Sequence, residues 1–69
     1  MSRAHITADR FRQGDFFTAD LSDGGVRIGL VNTRTFDVPR GHAWHDRIRE
    51  AATIAEVEDY FNQLSEAFA

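Results

Sequence analysis

The sequence predicts an α+β fold in which a small three-stranded antiparallel β-sheet is packed by two C-terminal helices. Three observations support this prediction: a hairpin signal over residues 16–31, an alternating strand over residues 34–38, and helical periodicity from residue 42 onward. The chain has 69 residues, and a core of that size supports one domain, which we assign to residues 1–69.

The hairpin consists of two alternating apolar runs, residues 16–21 and 26–31, on either side of a Ser-Asp-Gly-Gly turn at residues 22–25. Asp-Gly and Gly-Gly favour the positive φ angles that tight hairpin turns require. We expect the apolar side chains of both runs to lie on one shared face and to form half of the core. These side chains are Phe17, Ala19, Leu21, Val26, Ile28 and Leu30.

A third strand is predicted over residues 34–38, after a turn at residues 32–33. Phe36 and Val38 alternate with polar residues, which places both of them on the inward face. Pro39 should end the strand, because proline has no N–H to donate to the ladder.

The N-terminal arm is open to two interpretations. Thr7 could cap a single helical turn that Gly14 closes, or residues 6–11 could add an edge strand to the sheet. Of these two, we favour the short helix.

Helical periodicity predicts two helices, over residues 42–52 and 54–68. Thr53 and Glu56 form a capping-box pattern, which places the start of the second helix. One continuous helix would project beyond so small a core, so a break between the two is expected. The apolar stripe of the second helix consists of Ile54, Val57, Tyr60, Phe61, Leu64 and Phe68.

Composition excludes several classes of chemistry. The chain has no cysteine and no lysine, which excludes disulfides, thiol nucleophiles, Schiff bases and the P-loop lysine. No apolar run approaches the roughly 18 residues of a membrane span, and residues 1–8 lack the apolar stretch of a signal peptide. We therefore expect a protein of the bacterial cytoplasm that does not contact a membrane.

The most enzyme-like cluster is His42, His45 and Asp46, which a helix would place near one another at a spacing that metal ligation can use. A further ligand would have to come from His5 or from a strand aspartate, and the sequence places neither. No serine lies in a nucleophile elbow. We therefore expect no metal, no cofactor and no catalytic residues, so that the protein is not an enzyme.

Charge is segregated along the chain. Residues 1–49 hold eight arginines against six aspartates, a net charge of +2, whereas residues 50–69 hold five acids and no base, a net charge of -5. A net charge of -3 overall and a pI near 5.4 disfavour direct nucleic-acid binding. The C-terminal third is thus an acidic block, either a solvated helix face or a surface that binds a partner.

The acidic block predicts a partner-binding face. A helical wheel places acidic and polar side chains together, opposite the apolar stripe, with no cation at i+3 or i+4. Such a face can occupy the nucleic-acid channel of another protein, because the channel attracts negative charge whatever carries it. The predicted contact residues are Glu50, Glu58, Asp59, Asn62 and Glu66, with Trp44 and Tyr60 as aromatic anchors at the edge.

The length, the start Met1-Ser2-Arg3, the acidic block and the lack of a catalytic signature together resemble a known family. The chain resembles the small, acidic, cysteine-free anti-CRISPR proteins of phages and mobile elements. The resemblance implies binding to a Cas subunit of a type I surveillance complex, with type I-C considered first. It also implies that target-DNA engagement at the PAM-reading site is blocked, often by DNA mimicry. The family shares no motif, so no residue roles are carried over.

Three alternatives remain open. A net charge of -3 with eight arginines is mild for a DNA mimic, which leaves a mixed polar and aromatic surface as another mode of partner binding. An antitoxin or small regulator could bind DNA through its arginines and hold a partner subunit on the C-terminal helix. Burial of the apolar helix edge between two copies would give a weak homodimer rather than a monomer.

Overall fold

The computed structural model describes residues 4–67 and shows an α+β fold: a four-stranded antiparallel sheet followed by two helices. Each strand pairs with the next one in the chain, so the sheet order is also the chain order. The elements are β1 (Ile6–Gln13), β2 (Phe16–Leu21), β3 (Val26–Leu30), β4 (Arg34–Val38), α1 (His45–Glu50) and α2 (Ile54–Ala67).

The predicted hairpin and third strand are confirmed as β2, β3 and β4. In the β2–β3 turn, the Asp23 carboxylate accepts a hydrogen bond of 2.9 Å from the Gly25 N–H, and Gly24 has a φ of 89°. Asn32 turns the chain into β4 with a φ of 61°, a conformation that asparagine tolerates better than most residues. The strand β4 ends at Val38, immediately before Pro39.

The prediction of a short N-terminal helix is wrong. The arm forms β1, an edge strand that brings the sheet to four strands. Gly14, with a φ of 60°, begins a two-residue turn into β2, as in hairpins that place glycine first. Without β1, the second edge of β2 would leave its backbone N–H and C=O groups unpaired. Two register shifts, between Ile6 and Ala8 and between Asp9 and Phe11, bend β1 along its length.

The prediction that the apolar side chains of both hairpin strands lie on one shared face is also wrong. Thr18 pairs with Ile28, so the even-numbered positions of β2 lie on the same face as the apolar side chains of β3. Phe17 and Ala19 lie on the other face, and both are buried. A one-residue difference in register accounts for the error, because it exchanges the two faces of a strand.

The main core lies between one face of the sheet and the two helices. Phe61 of α2 packs edge-on against Phe16 and Phe36, with ring centroids 5.6 and 5.5 Å away. This arrangement of rings is favourable beyond its buried area. The buried cluster consists of Val26, Ile28, Phe36, Val38, Ile48, Ala51, Val57, Phe61 and Leu64.

The helices are two, as predicted, but α1 is shorter than residues 42–52 because the chain turns through residues 39–44 before it begins. Gly41 has a φ of 99°, which a regular helix does not contain. In α2, the Thr53 hydroxyl accepts the Glu56 N–H at 3.3 Å and donates to the Glu56 carboxylate at 2.9 Å. This contact resembles the predicted capping box, with the hydroxyl taking the place of the backbone N–H of Thr53.

The apolar stripe of α2 faces the core as predicted. Val57, Phe61 and Leu64 are buried, and Ile54 and Tyr60 are partly buried. Phe68, the last predicted member of the stripe, lies outside the described residues. Within residues 4–67, neither helix has the length and apolar character to cross a membrane.

Candidate functional site

The exposed face of α2 carries the predicted acidic surface. Glu58, Asp59, Asn62 and Glu66 are all exposed, whereas the opposite side of the helix is buried against the sheet. Glu58, Asn62 and Glu66 follow one another at i+4, about 6 Å apart along the helix axis. We call Glu58, Asp59, Asn62 and Glu66 the acidic face. The helix holds it rigidly, because the buried stripe fixes how α2 is rotated.

The carboxylates of the acidic face have no cationic partner within residues 4–67. Asp59 accepts a hydrogen bond of 2.9 Å from the amide of Gln63, which is an uncharged donor. The ion pairs of the described chain involve Asp20, Asp37 and Asp46 instead. The negative charge of α2 is therefore available to an external partner. It acts over about one Debye length, which is about 10 Å at 0.1 M salt.

Several arginines, in contrast, are paired inside the molecule. Arg10 and Arg49 bind opposite oxygens of the Asp20 carboxylate, at 2.6 and 3.2 Å. Arg27 binds Asp37 through two nitrogen atoms, at 2.7 and 3.0 Å. These pairs cancel part of the positive charge of residues 4–49, and none of the ion pairs within residues 4–67 involves an acid of α2.

The ion pairs also shift pKa values in the direction that stabilises charge. The hydrogen bond from Arg10 is the largest cause that lowers the pKa of Asp20, and the bond from Arg49 adds to it. The hydrogen bond to Asp37 raises the pKa of Arg27 in the same way. The folded structure therefore favours the ionised forms of Asp20 and Arg27.

The predicted aromatic anchors lie together where the two helices meet. The rings of Trp44 and Tyr60 have centroids 6.1 Å apart and planes tilted by 52°. Both are partly buried against the core, so part of each ring remains open to a partner. Tyr60 follows Asp59 in the chain and lies one turn beyond Glu56, so the anchors border only one side of the acidic face.

Glu50 occupies a different place from the rest of the predicted site. It is the last residue of α1 and is exposed. Three residues separate it from the start of α2. The structure thus gathers the predicted site residues into three groups: the acidic face, the aromatic pair and the isolated Glu50.

The histidine cluster is arranged for hydrogen bonding within the protein. His45 is buried, and its ring nitrogens lie 2.9 Å from the Asp46 carboxylate and 2.9 Å from the Gly24 carbonyl. The Nδ1 atom of His42 accepts a hydrogen bond of 3.0 Å from the Trp44 N–H. Within residues 4–67, no three histidine, aspartate or glutamate side chains are grouped as metal ligands.

Sequence reasoning missed a polar groove between the sheet and α1. Its volume is about 730 Å³, and Asp20, Arg40, His42 and Arg49 contribute to its walls. The sequence points to the histidines, but it predicts Asp20 on a strand and Arg10 in a short helix. Only the correct register of β1 and β2 would have brought these charges together.

No protein-family model, curated protein or solved structure matches this chain.

Proposed function

We propose that this protein is a non-enzymatic inhibitor that binds the basic, nucleic-acid-binding surface of another protein through the acidic face of α2. The single observation that supports the proposal is the negative charge of α2, which forms no ion pair within residues 4–67, on a helix whose opposite side is buried. A partner that binds nucleic acid presents the arginines and lysines that such a face attracts.

Rigidity matters to the proposed mechanism. Because the backbone of α2 is already fixed by its buried side, only the side chains of the acidic face lose conformational entropy when a partner binds, so that more of the electrostatic attraction contributes to affinity. The Trp44–Tyr60 pair would add the desolvated aromatic contact that charge alone does not provide. The expected complex forms quickly and weakens as salt concentration rises.

The proposed target is a Cas subunit of a type I CRISPR surveillance complex, with type I-C tested first. This choice comes from the resemblance of the sequence to small acidic anti-CRISPR proteins. In that setting, the acidic face would occupy the site that reads the PAM and would keep target DNA from binding. No cofactor takes part in this mechanism.

A mobility-shift assay with purified type I-C surveillance complex and PAM-containing duplex DNA tests the proposal. Addition of a stoichiometric amount of the protein should abolish the shifted band and restore free DNA. Undiminished DNA binding at a large molar excess of the protein would contradict type I-C as the target. The same assay with other type I complexes, and with unrelated basic DNA-binding proteins, separates a wrong target from a wrong mechanism.

The same gel decides between the inhibitor and a DNA-binding regulator. The inhibitor alone should leave generic duplex DNA unshifted, because its net charge is -3 and its arginines are partly neutralised by internal pairs. A shift of duplex DNA by the protein alone would favour the regulator and overturn the proposal.

A further inference from the structure

The polar groove beside α1 has no role in the proposed inhibition, and we infer that it binds a small phosphate-type oxyanion. Its walls come from β1, β2, the β2–β3 turn, the loop that follows β4, and α1. A volume of about 730 Å³ falls within the range of ligand sites in proteins. The groove thus brings together residues from five separate parts of the chain.

Charge in and around the groove favours an anion over a cation. Two guanidinium groups, Arg40 and Arg49, line it against two carboxylates, Asp20 and Asp46. The guanidinium of Arg10 also binds Asp20, whereas Arg40 forms no ion pair within residues 4–67. Asp20 is held by two arginines, so its lone pairs are largely occupied and it offers little to a metal ion.

One of the two histidines, His42, can supply a hydrogen-bond donor to a ligand in the groove. Because Nδ1 of His42 accepts from the Trp44 N–H, the ring proton of neutral His42 is on Nε2, where it is free to donate. His45 uses Nε2 to donate to the Gly24 carbonyl, and its Nδ1 lies at the Asp46 carboxylate. In His42 the Nδ1 lone pair is used by the Trp44 N–H, and in His45 both ring nitrogens face oxygen atoms of the protein.

Arg40 is the strongest candidate for direct contact with the anion. It is exposed and lies against Gly24, whose added Cβ would meet the Arg40 side chain at 3.4 Å. Its planar guanidinium can donate two parallel hydrogen bonds to two oxygens of one phosphate group, which a lysine could not do. Arg49 lies on the same groove, with its Nε atom turned to Asp20.

Titration of ¹⁵N-labelled protein with inorganic phosphate, followed by NMR, tests the inference. We expect saturable shifts of the Gly24, Gly25 and Gly41 amides, with a Kd of about 1 mM or tighter. Parallel titration with a ribose 5-phosphate distinguishes free phosphate from a phosphate monoester as the ligand. Chloride at equal ionic strength is the control, and shifts that do not saturate, or that chloride reproduces, would overturn the inference.

Matched variants locate the site. Arg40→Ala should weaken phosphate binding about tenfold or more, because a hydrogen-bonded charge pair is lost, and Arg40→Lys should recover only part of it. Arg47→Ala removes the same charge from an exposed α1 position outside the groove lining and should leave the Kd unchanged. Equal weakening by Arg47→Ala would show nonspecific attraction, and full affinity in Arg40→Ala would contradict the site. Thermal unfolding of each variant verifies that it is folded.

Discussion

At the scale of single residues, Thr18 stands out in the core. Its side chain is fully buried on the helix-facing side of β2, opposite Ile28 and beside Phe11 in the sheet. Within residues 4–67, its hydroxyl oxygen has no hydrogen-bond partner. A buried polar group without a partner loses its bonds to water and gains none in the fold, which costs about 1–3 kcal/mol.

Thr18→Val should therefore stabilise the protein. Valine has nearly the shape of threonine without the hydroxyl, so the free energy of unfolding should rise by about 1 kcal/mol. Chemical denaturation monitored by circular dichroism measures this change. Thr35→Val is the matched control: Thr35 is exposed on β4, its hydroxyl stays in water, and the free energy should change little. A destabilised Thr18→Val variant would show that the hydroxyl has a partner in solution.

At the scale of elements, both ends of α2 carry a glutamate, but the helix dipole acts on the two ends in opposite ways. Glu56 lies in the first turn, where the helix dipole favours a negative charge, and it bonds to Thr53. Glu66 lies in the last turn, where no basic residue is present among the described residues. The dipole opposes a negative charge at that end of the helix.

Charge reversal at these two positions should have opposite effects on stability. Glu66→Lys should stabilise the protein by about 0.5 kcal/mol, and Glu56→Lys should destabilise it by about 1 kcal/mol because it also loses the bond to Thr53. Denaturation at low ionic strength measures both changes. Shifts of the same sign in the two variants would mean that the helix dipole does not control these ends.

Asp20 joins three elements, β1, β2 and α1, through its two arginines. Because these bonds lower its pKa in the folded state, the ionised carboxylate stabilises the fold above the pKa of the unfolded chain. That stabilisation is lost as the pH falls through the lower folded-state pKa.

Asp20→Asn should therefore be less stable than the wild type at neutral pH and should lose less stability on acidification. Unfolding free energies measured between about pH 5 and pH 2 show the difference as a shallower slope in the variant. Asp9→Asn is the control, since Asp9 is an exposed β1 residue, and its slope should follow that of the wild type. Identical slopes for Asp20→Asn and the wild type would contradict the stabilising role of the pair.

Local sequence patterns predicted most of these elements correctly. The turn at residues 22–25, the stop at Pro39 and the cap at Thr53 each rest on chemistry within a few residues, and each lies where expected. The arm before Gly14 was misassigned because β1 is mostly exposed and shows no clear alternation of buried positions. Its strand conformation comes from pairing with β2, a contact that no local pattern encodes.

The prediction of which face of β2 meets the helices was wrong for a related reason. Phe17, Ala19 and Leu21 are an apolar alternating set, and they are buried as such a set should be. They lie on the face away from the helices, where Arg12 covers the Phe17 ring at 5.9 Å. Both faces of this strand are covered, so that alternation alone could not identify the one that meets the helices.

At the scale of the whole molecule, the main asymmetry is one of paired and unpaired charge. The acidic face was predictable because helical spacing depends only on sequence. The ion pairs of the arginines with Asp20 and Asp37 were not predictable, because they depend on which residues of neighbouring strands lie side by side in the sheet. The acidic face of α2, on which the proposed inhibition depends, takes part in none of the ion pairs within residues 4–67.

The most direct test of that proposal compares two double charge reversals in the DNA-binding inhibition assay. Glu58→Arg/Glu66→Arg alters the acidic face, whereas Asp9→Arg/Asp15→Arg makes the same change in net charge at exposed residues in and beside β1. We expect the first variant to lose inhibition by about tenfold or more, and the second to inhibit as the wild type does. Equal inhibition by both variants, with both folded, would contradict a role for the acidic face of α2.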